Sequence, residues 1–123
     1  MTLNEYQEQA MTTCLPEAEN FTYMMLNLVG EVGEFAGKVA KAIRKGQVKM
    51  KTNGNIWTSI SMKKEDHIEY TKELQKEAGD ILWQLSGLCS VMGWRLEEIA
   101  QQNLDKLADR KSRQVIDGSG DNR

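Results

Sequence analysis

The most informative feature of the sequence is a short pattern of acids and glycines that occurs twice. Glu31-Val-Gly-Glu34 and Glu77-Ala-Gly-Asp80 each place two carboxylates three residues apart, with an apolar residue and a glycine between them. Residues three apart on an α-helix share one face, so each pair would present both carboxylates on the same side. Two such helices packed together would bring four carboxylates to one point. Close carboxylates repel one another unless a cation compensates them, so the pattern predicts a metal site.

The chemistry of the four acids indicates a hard divalent cation. All-oxygen ligands suit magnesium, manganese or calcium, and we expect Mg²⁺, with Mn²⁺ as a substitute. A di-iron centre would need Glu-x-x-His on two helices, whereas the single histidine, His67, has Lys64 three residues before it. The sequence has no Gly-x-Ser-x-Gly elbow and no phosphate-binding Gly-x-x-x-x-Gly-Lys-Ser/Thr loop. A carboxylate-bound cation can polarise phosphate and activate water without these motifs.

The simpler alternative is a pair of surface helices with ordinary acidic faces. The glycines argue against it, because each glycine inside a helix costs about 1 kcal/mol relative to alanine. Gly33 and Gly79 hold the same place in the two copies, and Gly87 interrupts the second helix again. Sequences keep such glycines where another backbone or a ligand comes close, so we expect close approaches at these positions.

A basic stretch without any acid follows the first pair of glutamates, from Lys38 to Lys64. It is either a solvated face or an edge that gathers phosphates beside the metal site, and both interpretations stay open. Under the second interpretation Lys38 binds substrate, and Trp57 stacks on a base from the tip of a loop.

Length and composition favour one globular domain, residues 1–123, in a cytoplasmic protein. A net charge of −2 gives no reason to expect binding to nucleic-acid polymers, and no apolar run approaches the ~20 residues of a membrane span. The N-terminus does not have the form of a signal peptide. Cys14 and Cys89 have no metal-ligand spacing and are interpreted as reduced thiols.

Helical periodicity and capping signals predict an all-α protein with two long antiparallel helices, a short N-terminal helix and a C-terminal helix. The first helix opens with the capping box Thr2-x-x-Glu5. The others are expected from Pro16–Asn20 to Gly46, from Ser61–Asp66 to Gly93, and from Leu96 to Ser112. Residues 46–65 form either a flexible loop or a hairpin insertion that turns at Asn53-Gly54 with Met50 opposite Trp57. Residues 113–123 are a turn-rich tail.

Apolar stripes on the two long helices are expected to face the core. The stripes comprise Phe21, Met25, Leu28, Val32, Phe35, Val39 and Ala42, then Leu74, Ala78, Ile81, Leu85, Leu88 and Met92. Four large side chains lie off these stripes and would need a partner subunit to cover them, namely Tyr23, Met24, Trp83 and Trp94. The sequence therefore predicts a homodimer or homotetramer.

The C-terminal helix carries three polar residues of interest. Asn103 falls within the apolar stripe between Ile99 and Leu107, and Lys106 and Arg110 follow it by one and two turns. Either Asn103 is a buried structural residue beside two surface bases, or Asn103 and Lys106 reach the substrate phosphates.

Taken together, the ordered motifs resemble the MazG-like all-α nucleoside triphosphate pyrophosphohydrolases. The motifs are Leu28-Val-Gly-Glu-Val-Gly-Glu-Phe35, Glu77-Ala-Gly-Asp-Ile-Leu-Trp-Gln-Leu85, Leu96-Glu-Glu-Ile-Ala100, Asn103-Leu-Asp-Lys-Leu107, Arg110 and the Gly-Ser-Gly-Asp-Asn-Arg tail. One departure is Gly30, which stands where the family's fuller pattern has a glutamate.

The resemblance implies magnesium-dependent cleavage of a nucleoside triphosphate between its α and β phosphates, giving a monophosphate and pyrophosphate. By carry-over, Glu31, Glu34, Glu77 and Asp80 would bind the metal, and one would orient the attacking water. The resemblance also implies that Asn103 and Lys106 contact phosphate or sugar. Together with Lys38 and Trp57 from the basic stretch, and with Arg110, they form the predicted substrate-binding set. Alternatives are a pyrophosphohydrolase of another nucleotide, such as phosphoribosyl-ATP, or a helical interaction protein with reduced catalysis.

Overall fold

Within residues 1–58 and 62–123, which the computed structural model describes, the chain forms four α-helices and a small β-hairpin. The elements are α1 (Leu3–Met11), α2 (Phe21–Arg44), β1 (Val48–Met50), β2 (Ile56–Thr58), α3 (Lys64–Val91) and α4 (Leu96–Ser112). For Trp57 and Thr58 the description is limited to the backbone. The predicted helical class is confirmed, and none of the described helices combines the length and apolar character needed to cross a bilayer.

The starts of α1 and α2 are fixed by side-chain caps. The Thr2 hydroxyl accepts a hydrogen bond from the Glu5 backbone N–H at 3.0 Å, and the Glu5 carboxylate accepts one from the Thr2 N–H at 2.6 Å. The predicted capping box is therefore present. Asn20 Oδ1 accepts from the Tyr23 N–H at 2.9 Å, which places the N-cap of α2 at the end of the range predicted for its start.

Helices α2 and α3 form a long antiparallel pair that holds the centre of the molecule. Met24 near the start of α2 contacts Gly87 near the end of α3, while Lys38 lies against Glu73. A Cβ atom at Gly87 would overlap the Met24 side chain, which is 0% exposed. The prediction that Met24 lies outside the core is thus wrong, because the missing side chain at Gly87 makes room for it.

The predicted apolar stripes only partly match the buried surface. Phe21, Val32 and Leu85 were expected to point inward but are exposed, whereas Glu77 and Gln84 on α3 are buried. Part of each predicted stripe therefore lies away from the contact between α2 and α3, where Lys38 and Glu77 meet as well as Met24 and Gly87.

The close approaches predicted at the helical glycines occur at Gly87, where the Met24 side chain fills the space, and not at Gly33 or Gly79. Ideal Cβ atoms at Gly33 and Gly79 would meet nothing within 4 Å. These two positions face open space in the isolated chain.

Helix α1 joins the pair to α4 through polar side chains. Gln7, which is buried, donates to the Ser90 hydroxyl at 3.0 Å and to the Trp94 carbonyl at 2.9 Å, and its own carbonyl accepts from the Leu96 N–H at 2.8 Å. This last bond satisfies a free N–H at the start of α4, whose N-cap, Arg95, provides no side-chain cap.

Trp83 of α3 is hydrogen-bonded to the end of α1. Its indole N–H donates to the Ala10 carbonyl at 3.1 Å and to the Thr13 hydroxyl at 3.0 Å. The indole N–H of Trp83 therefore finds its hydrogen-bond partners within the chain, and the expectation that a second subunit covers its ring stays a prediction. Of the four side chains expected to be left over, Tyr23 and Trp94 are exposed.

The hairpin within residues 46–65 is present, but its register differs from the prediction. Met50 pairs with Ile56, and Lys49 rather than Met50 lies opposite Trp57. The Gly54 N–H donates to the Lys51 carbonyl at 2.9 Å, and Gly54 has a φ of +87°. Such a three-residue turn with a left-handed glycine shifts the register from that of the predicted two-residue turn.

Candidate functional site

Three of the four predicted acids converge between α2 and α3. Glu31 and Glu34 lie one helical turn apart on α2, and Glu77 reaches them from α3. Each offers a carboxylate oxygen, and these oxygens all lie within 4.8 Å of one another. We call Glu31, Glu34 and Glu77 the acidic cluster. Carboxylates this close repel one another, and a bound cation would compensate their negative charge.

Glu77 is the most deeply placed member of the acidic cluster, with 6% of its surface exposed. Its Oε1 lies 2.5 Å from the Lys38 ammonium nitrogen, and its Oε2 is buried without a hydrogen-bond partner. An unpartnered carboxylate oxygen is costly to bury. A hard cation would satisfy it, so the donor set fits a divalent metal on physical grounds.

Glu31 is half-buried, and the pKa of its carboxyl is raised above the ordinary value. Loss of solvent contributes most, and the negative charges of Glu34, Asp80 and Glu77 add to it. Asn27, one turn earlier on α2, opposes this shift by donating from Nδ2 to Glu31 Oε1 at 3.4 Å. Sequence reasoning missed Asn27, although its spacing of four residues from Glu31 was a usable signal.

Asp80 lies outside the group of three acids whose oxygens approach within 4.8 Å. Its charge is still close enough to raise the pKa of Glu31 and, after burial, the pKa of the Tyr6 hydroxyl. Asp80 therefore borders the acidic cluster, and its role as a fourth ligand stays a prediction.

Lys38 connects the acidic cluster to a neighbouring cavity. Besides Glu77, its ammonium nitrogen contacts Glu73 Oε2 at 3.2 Å. Glu73 was not singled out from the sequence, although it stands one turn before Glu77. A cavity of about 330 Å³ is lined by Lys38 and Lys41 of α2, by Lys45 just after the end of α2, and on its other wall by the start of α3. A slightly larger cavity of about 360 Å³ borders Cys14 and Trp94, but no acid of the cluster lines it.

The predicted substrate-binding residues of α4 differ in their exposure to solvent. Asn103 is exposed in the single chain, which argues against the alternative that it is a buried structural residue. It lines a surface cavity of about 280 Å³ together with Lys106. Arg110 is 5% exposed, and its guanidinium donates to the Asp121 carboxylate at 3.1 Å.

Lys106 also faces Asp121, at 3.6 Å, so both bases are engaged by the C-terminal tail. The tail is held further by Arg123, whose guanidinium donates to the Val115 carbonyl at 3.1 Å. Binding of substrate by Lys106 and Arg110 stays a prediction. The Trp57 side chain lies outside the described residues, and so does any contact that it makes.

Known proteins resemble the chain across most of its length. The MazG nucleotide pyrophosphohydrolase domain matches residues 19–115, a range that contains the acidic cluster and Asp80. The Gene 37 protein of Mycobacterium phage L5 is 39% identical over 105 residues, which cover 85% of this chain and 78% of the phage protein. The name of the phage protein states no activity. No solved structure matches the chain significantly.

Proposed function

Because the chain belongs to the MazG nucleotide pyrophosphohydrolase family, we propose that it hydrolyses a ribo- or deoxyribonucleoside triphosphate between the α and β phosphates. The products are a nucleoside monophosphate and pyrophosphate, and the reaction requires Mg²⁺ or, as a substitute, Mn²⁺.

The observation that carries this proposal is the acidic cluster with its unpartnered oxygen. Three carboxylates within 4.8 Å support a site for a hard cation, and the buried Glu77 Oε2 supports it independently. Sites of carboxylate oxygens are typical of magnesium and manganese, whereas zinc and iron sites usually recruit histidine or cysteine. Cys14 and Cys89 are not among the three residues that converge.

In this proposal Glu31, Glu34 and Glu77 hold the cation, and Asp80 completes the set from the next turn of α3. When bound, the cation supplies positive charge to the phosphates and lowers the pKa of water. A carboxylate of the set orients the water and accepts its proton. Asn27 assists by keeping the Glu31 carboxylate in place through its 3.4 Å hydrogen bond.

The proposal assigns the phosphates and the nucleoside to basic, polar and aromatic side chains of α2, α4 and the hairpin. Lys38 and, on α4, Asn103 and Lys106 contact phosphate or sugar, and Trp57 stacks on the base. Arg110 acts by anchoring the tail beside Lys106, which its burial against Asp121 supports.

We also propose that the active protein is a homo-oligomer. The outward side of α2 exposes large apolar side chains, among them Leu26 at 70% and Val29 at 66%. A second copy packed on this side would bury them and approach Gly33, whose added Cβ would meet nothing in the isolated chain.

The decisive experiment is a panel of the eight common ribo- and deoxyribonucleoside triphosphates, assayed with Mg²⁺ for both monophosphate and pyrophosphate. Equal amounts of the two products from at least one substrate would support the proposal, and EDTA should abolish turnover. Nucleoside diphosphate with orthophosphate as first products would contradict the bond assignment. Failure with every nucleotide, phosphoribosyl-ATP included, would favour an interaction protein.

A further inference from the structure

Lys38 is the base that the fold places directly against the acidic cluster. It follows Glu34 by one turn of α2 and reaches across to α3, where its ammonium lies 2.5 Å from Glu77 Oε1 and 3.2 Å from Glu73 Oε2. Among the ion pairs of the described residues, the pair of Lys38 with Glu77 is the one that involves this cluster. The positive charge of Lys38 therefore compensates part of the charge that the three acids concentrate.

The contact with Lys38 divides the two oxygens of Glu77. Oε1 is paired with the ammonium, whereas Oε2 is buried and has no partner. One lysine carries a single positive charge, so it leaves most of the cluster uncompensated. A divalent cation among the same oxygens would compensate the acids better, but it would stand within a few ångströms of the ammonium and repel it.

We propose that Lys38 is an internal counter-ion of the acidic cluster, which leaves Glu77 when a divalent cation binds and then contacts the phosphates of the nucleotide. The inference rests on the proposed function and adds an order of events to it. Lysine suits this role because its charge sits at the end of a flexible four-carbon stem.

The neighbouring cavity gives the released ammonium a place to go. Lys38 lines the cavity of about 330 Å³ together with Lys41 of α2 and with Lys45, which directly follows α2. Asp66 and Glu69 of α3 line the opposite wall. Their negative charges would confine phosphates to the α2 side of the cavity, next to Lys38.

Two consequences distinguish a counter-ion from a residue that merely positions Glu77. Removing the Lys38 charge should destabilise the metal-free protein, because Glu77 is buried and loses its partner. It should also tighten metal binding, because the cation no longer competes with the ammonium. A positioning residue would give the first effect together with weaker metal binding.

The first test uses calorimetric titration with Mn²⁺ alone and thermal melting in EDTA on the whole chain. Lys38→Met should lower the metal-free melting temperature and bind Mn²⁺ roughly tenfold more tightly, with saturating Mn²⁺ restoring most of the lost stability. Lys38→Gln is the second variant, since its amide can still donate to Glu77 without carrying charge, and it should show the same tighter binding. Lys38→Arg should resemble the wild type.

Lys41→Met is the matched control, because Lys41 lines the same cavity from the same helix and forms no ion pair among the described residues. It should leave Mn²⁺ binding and metal-free melting unchanged. Weaker or unchanged Mn²⁺ binding in both Lys38→Met and Lys38→Gln would overturn the counter-ion role.

The second test concerns the phosphates and uses inorganic pyrophosphate as the probe, at saturating Mg²⁺. Lys38→Gln should weaken pyrophosphate binding roughly tenfold in calorimetry, and unchanged binding would overturn the contact with phosphate. Neither titration depends on turnover. If the Lys38 variants show both effects but the wild-type protein hydrolyses no nucleotide, the proposed function is contradicted and the counter-ion role stands.

Discussion

The acids of the candidate site occupy three different environments, although the sequence presents them as two similar pairs. Glu77 is buried and paired with Lys38, Glu31 is half-buried with a raised pKa, and Glu34 is exposed. Their contributions to a metal site should therefore differ in kind. Glu77 is held in place by burial and by its ion pair with Lys38. The charged form of Glu31 is disfavoured by loss of solvent and by the negative charges around it.

Replacing Glu31 by glutamine should reduce activity by orders of magnitude, because it removes a proposed metal ligand. The same change should raise the melting temperature in EDTA, since it removes repulsion from Glu34, Asp80 and Glu77. Glu65→Gln, at an exposed acid in the first turn of α3, serves as the control: it should leave activity unchanged and should not raise the melting temperature, because an acid there complements the helix dipole. A lower melting temperature for Glu31→Gln in EDTA would show that Glu31 has a structural role.

At the scale of elements, the contact between α2 and α3 depends on Gly87. Gly87→Ala should cost about 1–3 kcal/mol of unfolding free energy, because its Cβ would overlap the buried Met24 side chain. Gly37→Ala is the matched control, since an added Cβ there meets nothing within 4 Å and alanine favours the helix by up to about 1 kcal/mol. Urea unfolding measures both changes, and equal midpoints would contradict the Met24–Gly87 contact.

The tail is attached to α4 mainly through Asp121. The pKa of Asp121 is lowered by a hydrogen bond from Arg110 and by the charge of Lys106. Its contribution to docking is therefore complete above the ordinary value of 3.8 and is lost as the pH falls through the lower folded value. At neutral pH, Asp121→Asn should speed limited proteolysis within residues 114–123 while leaving the global melting temperature nearly unchanged, because Asp121 is exposed to solvent. Asp117→Asn, an exposed acid of the same tail, should not.

The elements themselves were predictable because their signals are local. The capping box at Thr2, the bounds of α4 and the two carboxylate motifs all follow from residues that are close in sequence. The burial of Met24 and the capping of α4 by Gln7 depend on contacts between distant residues, which periodicity does not reveal. The partner of Lys38 was hidden for the same reason, since Glu77 lies on another helix.

At the scale of the whole molecule, the exposed side of α2 predicts self-association. Light scattering at micromolar concentration should give a multiple of 14.0 kDa. Val29→Glu should shift the protein toward the monomer, because it would bury a charge in the proposed interface. Met50→Glu, an exposed apolar position in β1, is the control. A stable, active monomer of wild-type protein would contradict this prediction.

The different exposure of the two cysteines allows transient opening of the molecule to be measured by thiol labelling. Burial raises the pKa of both thiols, but Cys89 on α3 is 2% exposed, whereas Cys14 lies half-buried beside the larger cavity. A thiol reagent should label Cys14 first, and Cys89 only as often as the packing around α3 transiently breaks. Cys14→Ser should leave the slow phase alone. If a bound cation links α2 to α3, Mg²⁺ should slow the alkylation of Cys89. The rate of that alkylation would therefore measure how often the packing between the two helices opens.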